Sequence, residues 1–269
     1  MAPRFFHVAL VTLLLTAGAL IVPTPVEAQD QGAPAFRQFG SWLDDASAPT
    51  PGLGQTTVAL GHWKMPGVSQ TNMPMLSAGI GVSDHLQVSA SVPFYRTNFD
   101  GVTASGMDDS YIGAKYNVID PTLSLSEIGL SIGSFVEIAS AGAGGRLHLV
   151  LPVSIEMRRA PFRWYASAGY FSRGALFTAG AIEWGAPHGV TVTGSLTESY
   201  STQTNADLDA RLVGRQRVDV SAGASHALGH RAAAFVNVGK NLSSGVEGTS
   251  SLGVSGGISF WFSTTTAMP

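Results

Sequence analysis

The stretch that decides the fold is MLSAGIGVSDHLQVSASVPFY, Met75–Tyr95, in which two alternating segments are joined by a tight turn at Ser83-Asp84. One face of the second segment carries the apolar residues Leu86, Val88, Ala90, Val92 and Phe94. The other face carries Gln87, Ser89, Ser91 and Tyr95. A period of two residues is typical of a β-strand with one face in an apolar medium. The second face is small and uncharged, whereas a soluble sheet would present Lys and Glu to water.

The same alternation returns about a dozen times, most clearly in Arg146–Arg158, where Leu, Val, Ile and Met occupy every second position. We predict twelve strands, an even number as a single-chain barrel with both termini on one side requires. They are Gln55–Lys64, Met75–Val82, His85–Arg96, Asp109–Ile119, Ile128–Ile138, Arg146–Arg158, Phe162–Phe171, Ala175–Gly185, Val190–Tyr200, Gln216–Ala227, Arg231–Leu242 and Leu252–Phe262.

The connections between these strands alternate in length. Every second connection is short: Ser83-Asp84, Asp120–Glu127, Arg159–Pro161, Ala186–His188 and Leu228–His230. Apart from the short Ser172–Gly174, the others are longer and more polar: Met65–Pro74, Thr97–Asp108, Ala139–Gly145, Ser201–Arg215 and Ser243–Ser251. Short turns on one side and long loops on the other are typical of outer-membrane barrels. The strands of a soluble sandwich also alternate apolar and polar residues, but that fold does not require its short and long connections to alternate.

Aromatic residues collect near the strand ends, and the last strand finishes with Phe260-Trp261-Phe262. Outer-membrane barrels carry aromatic girdles at both interfaces. The sequence therefore predicts an all-β fold, a closed antiparallel transmembrane β-barrel of about 12 strands in an up-and-down meander, over residues 53–262. The expected location is the bacterial outer membrane, with lipid and the barrel-assembly machinery as partners.

The N-terminal residues predict export. Arg4 precedes the mostly apolar run Val8–Val22, and Val26-Glu27-Ala28 fits a cleavage site. The run is shorter than the roughly 20 residues that a spanning helix requires, so a signal peptide at 1–28 is preferred to an uncleaved anchor. Residues 29–52 predict an irregular lead-in, and 263–269 form a C-terminal tail. We prefer a loose periplasmic segment for the lead-in and keep a lumenal plug as the alternative.

Composition argues against other classes of protein. Charged residues make up only 12% of the chain, about half the average for soluble proteins. Cysteine is absent, which suits a chain that crosses an oxidising periplasm. Losing Arg4 and Glu27 with the signal peptide leaves 14 basic and 17 acidic residues from the original 15 and 18, so the net charge stays at −3. This balance does not predict a nucleic-acid partner.

Two short motifs resemble a known family. Val92-Pro93-Phe94 is followed by a loop and then by Asp109, Gly113, Lys115 and Tyr116. This pattern resembles the MetA-pathway phenol-degradation family of outer-membrane barrels, in which a Gly usually stands where this chain has Asp108. The resemblance covers roughly the third and fourth strands, and it implies a part in the uptake or export of aromatic compounds.

The candidate functional residues are the charged residues on the polar faces of the strands. A Lys or Arg that faced lipid at mid-depth would cost roughly 2–4 kcal/mol, so these side chains are expected to face the lumen. The lumen-facing candidates are Asp109, Lys115, Glu137, Arg146, His148, Glu156, Arg158, Arg163, Arg173, Glu183, Arg217 and Asp219. In one interpretation they pair across strands and brace the wall. In the other they line a water-filled path and set its ion preference. We favour bracing with a narrow residual path.

Enzyme chemistry is not predicted. His148 shares a face with Ser154 and Glu156, but six or eight residues of extended strand place them roughly 20 Å or more away. Asp108-Asp109 is interpreted as a solvated turn. No His-x-His or His-Glu-x-x-His spacing occurs, so no metal site, catalytic residue or cofactor is predicted.

Three functional hypotheses follow. The first is a passive channel or transporter for small solutes, with aromatic or apolar compounds suggested by the resemblance. The second is a closed structural or surface-interaction barrel that uses the long loop Ser201–Arg215. The third is a barrel hydrolase, which would lose lipid or peptide cleavage on His148→Ala.

Overall fold

The computed structural model describes residues 43–65, 67–99, 101–120, 127–139, 147–203, 215–243 and 252–264. Within these ranges lie thirteen strands and one 3₁₀ turn, Pro187–Gly189. The strands are β1 Leu53–Met65, β2 Val68–Ser83, β3 Leu86–Phe99, β4 Val102–Met107, β5 Ser110–Ile119, β6 Ile128–Ile138, β7 Leu147–Arg159, β8 Phe162–Phe171, β9 Ala175–Ala186, β10 Val190–Ser201, β11 Gln216–Ala227, β12 Ala232–Asn241 and β13 Leu252–Ser263. None of the described helices is long and apolar enough to cross a membrane.

Hydrogen bonds between the first and last strands close the sheet on itself. β1 pairs with β13 from Leu53 opposite Ser263 to Lys64 opposite Leu252, and every other neighbouring pair is antiparallel as well. β4 and β5 pair in succession with β3, so together they occupy one position in the wall. The thirteen strands therefore form a closed antiparallel barrel of twelve positions, as predicted.

Alternating exposure identifies the two faces of the wall. In β7 the side chains of Leu151, Val153 and Ile155 are 43–52% exposed, whereas those of Ser154 and Glu156 are 1–2% exposed. Aromatic residues near strand ends, including Trp164 and Trp184, are exposed on the same outer face as the leucines. The apolar outer face is thus the lipid-facing surface that the sequence predicts.

Val92 is an exception to this pattern. It lies on the same outward face of β3 as Val88, but its side chain is only 2% exposed. It pairs with Leu76, beside an irregular register between Asn72 and Met75 in β2.

Two predicted long loops are wrong. Met65–Pro74 and Thr97–Asp108 are mostly strand, because β2 begins at Val68, β3 continues to Phe99 and β4 covers Val102–Met107. The connections are tight, and Gly67 and Gly101 have φ angles of 74° and 86°, which favour glycine. The extensions of β2 and β3 carry polar residues on both faces, and β4 is only six residues long, so the sustained two-residue hydrophobic period that marks a lipid-facing strand is missing there. The other predicted long loops are Ala139–Gly145, Ser201–Arg215 and Ser243–Ser251, and their residues 140–145, 204–214 and 244–251 lie outside the described part of the chain.

Glycines on the inner face make room for aromatic rings. A Cβ added to Gly113 would lie 2.4 Å from Cδ1 of Phe135 and 2.5 Å from the carbonyl oxygen of Ser134. At Gly180, which lies on the outer face of β9, the nearest atom would be the carbonyl oxygen of Tyr165, 3.9 Å away. The ring of Phe135 therefore fits the barrel only because residue 113 has no side chain.

We expect Gly113→Ala to lower the free energy of unfolding by about 1–3 kcal/mol, the usual cost of overpacking a well-packed site. The matched control, Gly180→Ala, should leave it nearly unchanged. Urea titration of the barrel in lipid vesicles, followed by the gel shift between folded and unfolded forms, measures both. Equal midpoints for the two variants would contradict this account of the packing.

Candidate functional site in the barrel lumen

Residues 43–50 run inside the barrel before β1 begins. Pro51 forms a parallel bridge with Gly81, and the backbone nitrogen of Gly52 donates to the carbonyl oxygen of Gly81 at 2.9 Å. A Cβ on Gly81 would lie 2.2 Å from the carbonyl oxygen of Pro49, so the segment packs closely against the inner face of the wall there. Gly81 is next to the short turn between β2 and β3. The segment therefore enters the lumen from the short-turn side.

The segment is held by charged groups of the wall. Nζ of Lys115 lies 3.2 Å from Oδ1 of Asp44 and 2.9 Å from Oδ1 of Asp45. Arg163 forms ion pairs with Asp45, with Glu156 at 2.7 Å and with Glu183 at 3.2 Å. Burial by itself would raise the pKa of Asp45, but the positive charges of Lys115 and Arg163 hold that pKa well below its usual range. The segment is thus anchored through ionised groups.

Glu156 is the second anchor and is completely buried. Its carboxylate accepts hydrogen bonds from the backbone nitrogen of Ala46 at 3.1 Å and from Oγ of Ser47 at 3.0 Å. It also accepts from Nε of Arg158 at 2.6 Å and from Nε of Arg163 at 2.7 Å. These four donors satisfy the buried charge, which would be costly if it were unpaired. We call Asp44, Asp45, Lys115, Glu156, Arg158, Arg163 and Glu183 the anchor cluster.

Apolar contacts support the same arrangement. Leu43 packs against Tyr165 and Ala179 in a buried cluster. A second buried cluster on the inner face of β6–β9 contains Phe135, Val150, Phe171 and Phe177. The β5–β9 side of the lumen is therefore filled by side chains and by residues 43–49, and a loose periplasmic lead-in does not describe these residues. Residues 1–42 lie outside the described part of the chain.

Five of the remaining predicted lumenal residues lie in two groups nearer the long-loop side. Nε of Arg173 lies 2.6 Å from Oε2 of Glu137, although its N–H is not aligned for a hydrogen bond. Arg173 also reaches Asp109 at 3.0 Å. Arg217 pairs with Asp219 at 2.7 Å, and Asp219 accepts from Asn241 at 3.0 Å.

His148 makes an edge-to-face contact with Phe171, with ring centroids 6.2 Å apart. Arg146 lies outside the described residues. That the twelve candidates set the properties of a water-filled path stays a prediction.

A cavity of about 280 Å³ remains beside the segment. Residues 43–49 form one side of it, and the inner faces of β1, β2 and β3 form the other. Along β3 the lining extends from Gln87 to Pro93, which is about 20 Å at the rise of an extended strand. The open part of the lumen is thus an off-centre space between the segment and a wall of uncharged, mostly small residues, both polar and apolar.

Comparison with solved structures gives several barrels of the same form. An outer-membrane channel from Pseudomonas putida F1 has a TM-score of 0.60 at 11% identity, over 81% of this chain and 98% of that one. The NanC porin has a TM-score of 0.56 at 11% identity, over 76% and 98%. The KdgM porin has a TM-score of 0.51 at 10% identity, over 76% and 98%. The fold is that of an outer-membrane β-barrel. Neither a protein-family model nor a curated protein sequence matches the chain.

The residues that sequence analysis missed are Asp44, Asp45 and Ser47. One signal was present, because Lys115 stands opposite Gln87 in β3 and Gly133 in β6. A buried lysine with no acidic residue across either neighbouring strand needs a carboxylate from elsewhere, and Asp44-Asp45 is an acidic pair in a chain with few charges. Among the described residues no group of three or more His, Cys, Asp and Glu side chains could hold a metal ion.

Proposed function

We propose that the mature chain, after loss of residues 1–28, is a passive channel for small solutes in the bacterial outer membrane. The observation that supports this most directly is the cavity beside residues 43–49, which follows β3 for about 20 Å. A lumen braced throughout by side chains would leave no such space. The barrel fold that the chain shares with an outer-membrane channel and two porins agrees with this function.

In this proposal the anchor cluster determines the width of the path. Residues 43–49 occupy the β5–β9 side, so solutes pass along the β1–β3 side. The lumenal charges then brace the barrel on the β5–β9 side, whereas the water-filled path lies on the β1–β3 side of the same lumen. An aromatic or apolar solute is supported only by the resemblance at Val92-Pro93-Phe94 and Asp109–Tyr116.

Planar bilayers test the proposal. Purified, folded barrel is expected to give discrete conductance steps in KCl that heat-unfolded protein in the same detergent does not give. Vesicles that contain the barrel should also swell in an isotonic solution of a small solute. Folded protein that gives neither steps nor swelling would overturn the channel function.

A closed barrel is the second candidate, and the filling of the lumen by residues 43–49 is the observation that favours it. It predicts no conductance from the full chain but clear conductance once the segment is removed. The loop proposed as its binding surface is Ser201–Arg215, of which residues 204–214 lie outside the described part of the chain.

A further inference from the structure

The lining of the cavity differs sharply between its two sides. All its charged residues among those described belong to the segment, to β5 and the residue just before it, or to the turn end of the β7–β8 hairpin, and they are three acidic and three basic residues. They are Asp44, Asp45, Asp109, Lys115, Arg158 and Arg163.

Each of these charges already has a partner of opposite sign. Lys115 pairs with Asp44 and Asp45, and Arg163 pairs with Asp45. Arg158 pairs with Glu156 at 2.6 Å, and Asp109 pairs with Arg173 at 3.0 Å. A charged solute would therefore lose hydration in the narrow path and gain no free countercharge, unless it broke one of these pairs.

The opposite side carries no charged residue, and between apolar residues such as Ala59 and Met75 it offers neutral hydrogen-bonding groups. Gln55, Ser77, Gln87, Ser89 and Ser91 line it on three adjacent strands. Nε2 of Gln55 is buried and has no hydrogen-bond partner within the described part of the chain. A buried amide donor of this kind is costly unless a solute or water accepts from it.

We propose that this path selects small uncharged solutes with several hydroxyl groups, such as polyols, over ions of the same size. The selection rests on the proposed channel function and on two features of its lumen, the mutual neutralisation of the lining charges and the neutral wall of β1–β3. Hydroxyl groups can replace water on that wall without the cost of stripping a charge.

Three solutes with the same six-carbon chain test the selection: sorbitol, gluconate and protonated glucamine. Vesicles that contain the full barrel are transferred into isotonic solutions of each, and the swelling rate is measured. We expect sorbitol to enter about tenfold faster than either ion, because the ions pay an uncompensated desolvation cost. Equal or faster entry of gluconate or glucamine would overturn the selection and leave the channel function intact. No swelling with any solute, together with no KCl conductance, would overturn both.

A variant in the cavity lining tests whether the wall binds the solute or only limits the width of the path. Gln55→Leu should lower the ratio of the sorbitol rate to the gluconate rate by about two- to tenfold, the usual value of one hydrogen bond. The control is Gln216→Leu, since Gln216 is an exposed residue at the start of β11 outside the cavity lining, and it should leave the ratio unchanged. If Gln55→Leu slowed both solutes alike, the side chain would act through size alone, and recognition by the neutral wall would be rejected.

Discussion

Deletion of residues 43–49 is expected to raise the single-channel conductance by roughly threefold or more, because a twelve-strand wall is wider than the eight-strand barrels that side chains alone fill, so removal of the segment adds its volume to the cavity. The segment lies between the cavity and the β5–β9 wall, and its contacts come from side chains that would remain in the barrel. Single-channel recording in KCl measures the change.

A milder variant, Asp44→Asn with Asp45→Asn, removes the ion pairs to Lys115 and keeps the length of the chain. It should give an intermediate conductance with frequent transitions between levels.

Asp84→Asn is the matched control for the milder variant, because Asp84 is an exposed carboxylate in the turn between β2 and β3. It should keep the conductance of the unmodified protein. The heat-dependent gel shift establishes that each variant has folded. A folded deletion variant with unchanged conductance would show that residues 43–49 do not narrow the path.

The barrel itself could be predicted because lipid imposes a simple rule on its strands. Every outward position between Leu147 and Met157 must be apolar, so the two-residue period is unbroken and the boundaries of β7 match the prediction within one residue. Where a strand does not face lipid, its outward positions need not be apolar, and the two-residue period is lost. The stretch Ser69–Asn72 pairs with β1 and β3 but reads as a polar loop.

The site was less accessible to sequence analysis for a different reason. Parity places Lys115, Glu156 and Arg163 on the inner face, but it gives no information about what fills the lumen opposite them. That depends on residues 43–49, which have no periodicity and whose position is fixed by ion pairs across 70 or more residues of chain. A search for buried charges that lack a partner on the adjacent strands would have pointed to Asp44 and Asp45.

The second large expected effect is a loss of stability when Arg163 of the anchor cluster is replaced. Arg163→Met is expected to lower the free energy of unfolding by about 3–5 kcal/mol, because removing one partner leaves buried carboxylates uncompensated. Arg163 contacts Glu156 and Glu183, which are 1% and 3% exposed, and its guanidinium lies 5.1 Å from the ring centroid of Tyr165. Urea titration in lipid vesicles measures the loss. Arg159→Met is the control, since Arg159 is an exposed arginine on the same hairpin, and it should change the midpoint little.

A double variant separates the unpaired charge from the loss of packing. If uncompensated charge dominates, Arg163→Met with Glu183→Gln should be more stable than Arg163→Met alone, because the most isolated carboxylate has been neutralised. Glu156 would still accept from Arg158 and Ser47, so it should tolerate the change better than Glu183. If the double variant were instead less stable than the single one, the guanidinium would contribute mainly through its contact with Tyr165. The anchor cluster would then hold residues 43–49 by shape rather than by charge.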